Sequence, residues 1–84
     1  MTNEQIEKFI AGNQEHIGEP IKIFFKTRST VEGVFIQATD FIELKGKNFW
    51  RIVTLKNLDD YTKSKDMNLS RIFNGAEFTR LSQK

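Results

Sequence analysis

Basic and aromatic side chains alternate along two stretches of the chain, and these residue types suit the binding of a nucleic-acid strand. Lysine and arginine pair with phosphates, and bases stack on aromatic rings. The basic residues are Lys22, Lys26, Arg28, Lys45, Lys47 and Arg51, and the aromatic residues among them are Phe24, Phe49 and Trp50. The solvent-facing side of an antiparallel strand also carries lysines, so a plain solvated face stays open as the alternative.

Two tight turns carry the remaining candidate residues for RNA contact. Asp40 can accept hydrogen bonds from the amides of its own turn or from a base, and Phe41 beside it can stack on a base or pack in the core. Asn74 and Gly75 can present amide groups to a nucleotide. An Asn-Gly pair is also the strongest short hairpin signal, so a purely structural role stays open here too.

Catalytic and metal-binding chemistry has little support in the composition. The chain has no cysteine and a single histidine, His16, so a Cys/His site, a Ser/His/Asp site and a zinc site all lack an obvious constellation. Asp59, Asp60 and Asp66 do not have the spacing of a calcium loop. No glycine-rich phosphate loop occurs. We therefore predict a protein that is not an enzyme and that uses neither a cofactor nor a metal.

Length and charge bound the class of protein. A chain of 84 residues forms one small domain, here 1–84, with a small core that self-association would help to stabilise. Its net charge of +2 is mild, so any binding to nucleic acid must rest on local patches. No apolar run reaches the roughly 18 residues of a membrane span, and the first nine residues, MTNEQIEKF, are polar and acidic, unlike the charged and then apolar pattern of a secretory signal. We expect a soluble, cytoplasmic protein with no membrane partner.

An amphipathic helix is predicted over residues 1–18. Thr2 and Gln5 fit a capping box at its start. The apolar residues at helical spacing are Ile6, Phe9, Ile10 and Ile17. Gly12 could end the helix early, but Gly18, which a proline follows closely, is the stronger stop signal. We expect this helix to cover one open end of a barrel.

The apolar period changes from that of a helix to that of a strand at Pro20, and residues 20–82 are predicted to form a small β-barrel. After a first strand and a turn at 27–30, strands are predicted over 31–39, 41–44 and 49–55, with a loop at 45–48 and a final hairpin over 70–81. The polar residues 56–68 are either a long loop or one helical turn around Leu58 and Tyr61. The fold class is mainly β: a small bent antiparallel five-stranded barrel, Sm-like or SH3-like, with a short N-terminal α-helix.

Gly33 lies inside one of these predicted strands. Strand interiors normally avoid glycine, so its presence indicates a sharp bend or a close approach of another backbone. The residues facing one way are Val31, Gly33 and Phe35, and those facing the other way are Val34, Ile36 and Ala38. A strand that is apolar on both faces lies centrally or meets a partner on its second side.

Two motifs occur along the chain in a recognisable order. The first is Val31-Glu32-Gly33-Val34-Phe35, followed by the Asp40 turn and residues 41–44, and the second is Ile72-Phe73-Asn74-Gly75-Ala76. Over residues 4–81 the chain thereby resembles the Sm-like family, particularly its bacterial Hfq-type branch. The resemblance implies a ring-type homo-oligomer that binds single-stranded RNA, in which the last two strands of neighbouring protomers pair edge to edge.

A second interpretation stays open beside this one. The net charge is weak, and Asn74 stands where the Sm-like family usually has a basic residue. These features favour an SH3-like protein-interaction or structural module, which has a protein partner and does not bind nucleic acid.

Overall fold

The computed structural model describes residues 1–13 and 18–83 of the chain. These described residues form three α-helices, five strands and two short 3-10 turns. The elements are α1 (Asn3–Gly12), β1 (Ile21–Phe25), β2 (Val31–Phe35), α2 (Phe41–Gly46), β3 (Phe49–Thr54), α3 (Leu55–Ser64), a 3-10 turn (Met67–Leu69), β4 (Arg71–Asn74), a second 3-10 turn (Gly75–Glu77) and β5 (Phe78–Gln83).

The strands form one five-stranded antiparallel sheet in the order β4-β3-β2-β1-β5. β4 and β5 occupy its two edges and do not pair with each other, so the sheet is barrel-like but not closed. The predicted fold class, mainly β with an N-terminal helix, is confirmed.

The helix α1 begins with the predicted capping box. Thr2 Oγ1 accepts a hydrogen bond from the Gln5 amide at 3.2 Å, and Gln5 Oε1 accepts one from the Thr2 amide at 2.9 Å. The helix ends at Gly12, so the prediction that it extends to Gly18 is wrong. The earlier of the two stop signals is the one used. The predicted positions of His16 and Ile17 lie outside the described residues.

The core lies between α1 and the concave side of the sheet. It collects one stripe of α1 and the inward-facing residues of the strands. Its buried members are Ile6, Ile21, Ile23, Trp50, Ile52, Phe73, Phe78 and Leu81, and Phe9, Ile10, Phe25, Phe35 and Phe41 pack against them. The predicted apolar stripe of the helix is thus confirmed for the part that the structure describes.

Gly33 sits at a close approach between β2 and β3. It pairs with Thr54 on β3, and a Cβ atom at this position would lie 2.6 Å from the carbonyl oxygen of Val53 and 2.8 Å from Ile52 Cγ2. Any side chain would collide with the neighbouring backbone. The predicted close backbone approach is confirmed.

The second apolar face of β2 is covered by α3. Val34 lies opposite Val53 in the β2–β3 ladder, and both are buried although they do not belong to the core cluster. The sequence left open whether this strand lies centrally or meets a partner on its second side. The structure shows both, since β2 is the middle strand of the sheet and α3 contacts β2 and β3. The prediction of a long loop or a single helical turn over residues 56–68 is wrong. Leu58 and Tyr61 lie within a helix of 10 residues.

Residues 41–44 were expected to be a strand and instead begin α2, so that prediction is wrong. The Leu44 amide donates to the Asp40 carbonyl at 3.0 Å, which is a helical contact. Phe41 and Leu44 are both half-buried, while Ile42 between them is 76% exposed. So short an apolar run fits either period, and here the helical spacing of Phe41 and Leu44 decides.

The predicted hairpin over residues 70–81 is also wrong, because its two strands lie at opposite edges of the sheet. Asn74 caps the second 3-10 turn, its Oδ1 accepting from the Ala76 amide at 2.9 Å. Gly75 does not have a positive φ. A glycine is needed here because there is no room for a side chain: a Cβ atom would lie 2.6 Å from Ile6 Cδ1 and 2.7 Å from Trp50 Nε1.

Candidate nucleic-acid interface

Asp40 and Arg51 are bound to each other. Arg51 Nη2 donates to Asp40 Oδ2 at 2.6 Å and Nε donates to Oδ1 at 3.4 Å. Arg51 Nη1 donates to Ser70 Oγ at 3.0 Å, and Ser70 Oγ in turn donates to the Met67 carbonyl at 2.6 Å. One guanidinium therefore ties the start of α2, strand β3 and the segment before β4 together.

The electrostatics of this pair follow from its hydrogen bonds. The Arg51 guanidinium, mainly through its hydrogen bonds, holds the pKa of the Asp40 carboxyl below its ordinary value of 3.8, against the opposing effect of burial. The carboxylate is thus charged at neutral pH and engaged within the protein. Both residues were predicted to contact RNA, and that prediction would require them to exchange a partner they already have.

The basic residues in the last turn of α2 and immediately after it are also paired. Lys45 Nζ lies 3.2 Å from Glu7 Oε2 and Lys47 Nζ lies 3.8 Å from Glu43 Oε1. Phe41 packs edge-on against Trp50 with 6.0 Å between ring centroids, and Lys45 Nζ lies 5.6 Å from the centre of the Phe41 ring. These contacts give α2 a structural role and reduce the positive charge it offers to a ligand.

Trp50 was considered as a stacking residue, but the structure places it in the core. It is 1% exposed, and its Nε1 donates to Asn48 Oδ1 at 2.8 Å. The amide of Gly75 donates to the Asn48 carbonyl at 2.8 Å, so this amide already has a partner within the protein. Neither group is free to meet a nucleotide in this conformation.

Arg28 and Asn74, which are far apart in the sequence, line the same open groove. The floor of the groove is aromatic, with the rings of Phe25 and Phe73 tilted against each other at 5.7 Å. Arg28 Cζ lies 5.1 Å from the centre of the first ring and 5.5 Å from the centre of the second. Lys26 is exposed at the end of β1, and its amide donates to the Glu77 carbonyl at 3.0 Å. This end of the molecule brings several of the predicted residues together.

The outer face of β1 and β5 carries a second group. Phe24 lies opposite Arg80 in the ladder, and Arg80 Cζ sits 4.2 Å from the centre of the Phe24 ring. Phe24 is half-buried and Arg80 exposed. Lys22 is the next residue of β1 on this face, opposite Ser82 on β5 and the acidic Glu32 on β2. We call Lys22, Phe24 and Arg80 the outer basic face.

Arg80 was missed by the sequence analysis. The alternation of residues 78–83 placed it on a strand, but the predicted hairpin paired that strand with β4. Its true neighbour is β1, more than fifty residues away in the chain. Only the pairing of β5 with β1 places Arg80 beside Phe24.

The described residues offer neither a cluster of metal ligands nor a helix that could span a membrane. No three histidine or acidic side chains in residues 1–13 and 18–83 converge on a point where a metal ion could bind. None of the helices in this same part of the chain has the length and apolar character needed to cross a bilayer.

Comparison with known proteins found no matching family model, no matching curated protein and no matching solved structure. Functional inference therefore rests on the geometry of the chain itself.

Proposed function

We propose that the chain is an Sm-like RNA-binding protein that acts as a ring-type homo-oligomer. It binds single-stranded RNA through its basic and aromatic strand faces, together with turn residues such as Asn74. The observation that carries this proposal is the outer basic face, where the Arg80 guanidinium stacks 4.2 Å from the centre of the Phe24 ring beside Lys22.

The outer basic face combines the two kinds of contact that single-stranded RNA requires. A base stacks on the guanidinium plane or on the aromatic ring, and such stacking contributes about 1–3 kcal/mol per base. Lys22 lies two residues from Phe24, which is about 6.6 Å along a strand, and pairs with the phosphate of the same or the next nucleotide. The small net charge of +2 is no obstacle, because the contact is local.

Assembly into a ring is supported by the two edges of the sheet. β4 and β5 each have a neighbour on one side only, so each offers unpaired backbone groups to another copy. Pairing of two different edges is a head-to-tail contact, which closes into a ring when the rotation between copies allows it. Ile72 on β4 is 49% exposed and gives this edge an apolar contact.

A second candidate function is that of an SH3-like protein-interaction or structural module. It is favoured by the exposure of Ile42 on α2 and by the ion pairs of Lys45 and Lys47, which leave α2 more apolar than its sequence suggests. On this alternative, α2 contacts a protein partner and the outer basic face is only a solvated surface.

RNA binding is tested by fluorescence anisotropy with labelled oligo-U and oligo-A at low salt. Phe24→Ala and Arg80→Glu should each weaken binding about 10-fold or more, because each removes a stacking surface. Lys63→Glu, at the exposed end of α3, makes a similar change in charge away from the face and serves as the control. Equal weakening by Arg80→Glu and Lys63→Glu would mean that net charge alone matters and that the face is not the site.

Assembly is tested by native mass measurement. The wild type should run as a closed oligomer, and Ile72→Asp should shift it to smaller species by placing a charge in the edge contact. Ile42→Asp alters an even more exposed isoleucine on α2 and should leave the mass unchanged. A monomeric wild type would refute the ring and favour the solitary module.

A further inference from the structure

The groove beside β4 carries an amide and a carboxylate next to its arginine, and the outer basic face has neither. Phe25 and Phe73 form its floor, Arg28 lies over both rings, and Asn74 and Glu77 complete the lining. Asn74 Oδ1 accepts a hydrogen bond from the Ala76 amide, so the two N–H groups of Asn74 Nδ2 are the part of the side chain that can bind a ligand. Within the described part of the chain, neither Asn74 Nδ2 nor the exposed Glu77 carboxylate has a hydrogen-bond partner, and the charge of Glu77 is attracted to the N-terminal ammonium of Met1.

We propose that this groove is a base-binding subsite that selects guanine. The proposal rests on the proposed function, since it names the base that one site of the RNA-binding protein takes. Arg28 is held in place by two aromatic rings, at 5.1 and 5.5 Å, so its exposed side is a pre-organised platform on which a base can stack.

The choice of guanine follows from the donors and acceptors beside that platform. The Watson–Crick edge of guanine has one acceptor, O6, next to two donors, the N1–H and N2–H groups. Asn74 Nδ2 can donate to O6 while the two oxygens of the Glu77 carboxylate accept from N1–H and N2–H.

The other bases form fewer hydrogen bonds with Asn74 and Glu77. Uracil offers the carboxylate of Glu77 a single donor, N3–H, and places the O2 acceptor against its second oxygen. Adenine and cytosine each offer one exocyclic amino group, with an unprotonated ring nitrogen beside it. Only guanine gives the carboxylate two donors, and a bidentate pair of this kind discriminates by about 10-fold or more.

The experiment is an NMR titration with mononucleotides, which needs neither a ring nor a long RNA. GMP should shift the side-chain signals of Asn74 and Arg28, with an affinity about 10-fold or more above those of AMP, CMP and UMP. IMP lacks the 2-amino group and should bind more weakly than GMP. Glu77→Gln should remove the preference for GMP without changing the response to AMP, whereas Glu4→Gln on α1 should change neither.

The results separate this inference from the function on which it rests. Equal responses to all four nucleotides, or GMP shifts confined to the outer basic face, would overturn the guanine subsite even if oligo-U and oligo-A bind. A guanine preference at Asn74 and Arg28 in a protein that binds neither RNA would keep the subsite and overturn the proposed RNA function. Unchanged selectivity in Glu77→Gln would overturn the role given to its carboxylate.

Discussion

Replacing Gly33 by alanine tests most sharply how the sheet is built. The new Cβ atom would lie 2.6 Å from the Val53 carbonyl oxygen, about 0.8 Å short of ordinary contact, and 2.8 Å from Ile52 Cγ2. The Val53 carbonyl belongs to the backbone of β3, which is held between β2 and β4 and cannot yield as a side chain could.

The expected cost follows from this collision. Overpacking in a well-packed site costs about 1–3 kcal/mol and sometimes more. A Gly→Ala change also lowers the conformational entropy of the unfolded chain, which stabilises the folded state by only about 0.4–1 kcal/mol. A net loss of about 2 kcal/mol should lower the Tm of a domain this small by roughly 10 °C.

Thermal unfolding followed by circular dichroism measures this loss. Gly46→Ala is the matched control, because Gly46 ends α2 and a Cβ atom there meets nothing within 4 Å. It should be neutral or stabilise by up to about 1 kcal/mol through helix propensity. If Gly33→Ala has the same Tm as Gly46→Ala, the close approach of β2 and β3 does not determine the stability of the sheet.

Three further substitutions probe the Asp40–Arg51 ion pair and the core. Because Arg51 lowers the pKa of Asp40, the stabilisation by their pair is present above pH 3.8 and is lost as the pH falls through the lowered pKa; the Tm advantage of the wild type over Asp40→Asn should therefore disappear in strong acid, and a constant difference would count against the ion pair. Ile6→Ala should cost about 2–5 kcal/mol in urea unfolding, since it empties a fully buried site under α1; a loss below 1 kcal/mol would show that α1 is not docked. Trp50→Phe should cost about 1–3 kcal/mol in the same assay, because it leaves a void and removes the donor to Asn48 Oδ1, and an unchanged midpoint would contradict that hydrogen bond.

The parts of the fold that the sequence predicted well depend on neighbouring residues. The capping box needs only Thr2 and Gln5, and the alternation of Ile21 and Ile23 is complete within one strand. Gly33 could be interpreted because a glycine inside a strand has few structural explanations. In each case, the sequence pattern on which the prediction depends lies within a few residues of the chain.

The parts that were predicted wrongly depend on contacts between distant residues. Phe41 and Leu44 fit both a strand and a helix; at helical spacing both are half-buried, and Phe41 packs edge-on against Trp50, which is distant in the sequence. Asn74-Gly75 indicated a hairpin, but the packing of Gly75 against Ile6 required a 3-10 turn instead. Local sequence patterns do not determine which strands are neighbours in the sheet.

The candidate site shows the same division. The basic residues could be recognised by type, but not which of them are paired within the protein. Arg51 meets Asp40, Lys45 meets Glu7, and the carboxylates concerned lie 11 and 38 residues away. Arg28 and the unpredicted Arg80 are exposed and Lys22 is half-buried, and this exposure is set by the tertiary structure rather than by the composition.

The most direct test of the central claim is the salt dependence of single-stranded RNA binding by the wild-type protein. In the proposed mode of binding, basic side chains such as Lys22 pair with phosphates and release counterions, so the logarithm of the binding constant should fall linearly with the logarithm of the salt concentration. A slope that corresponds to several phosphate contacts would support an RNA-binding protein. The absence of any binding to oligo-U or oligo-A at low salt would contradict the account.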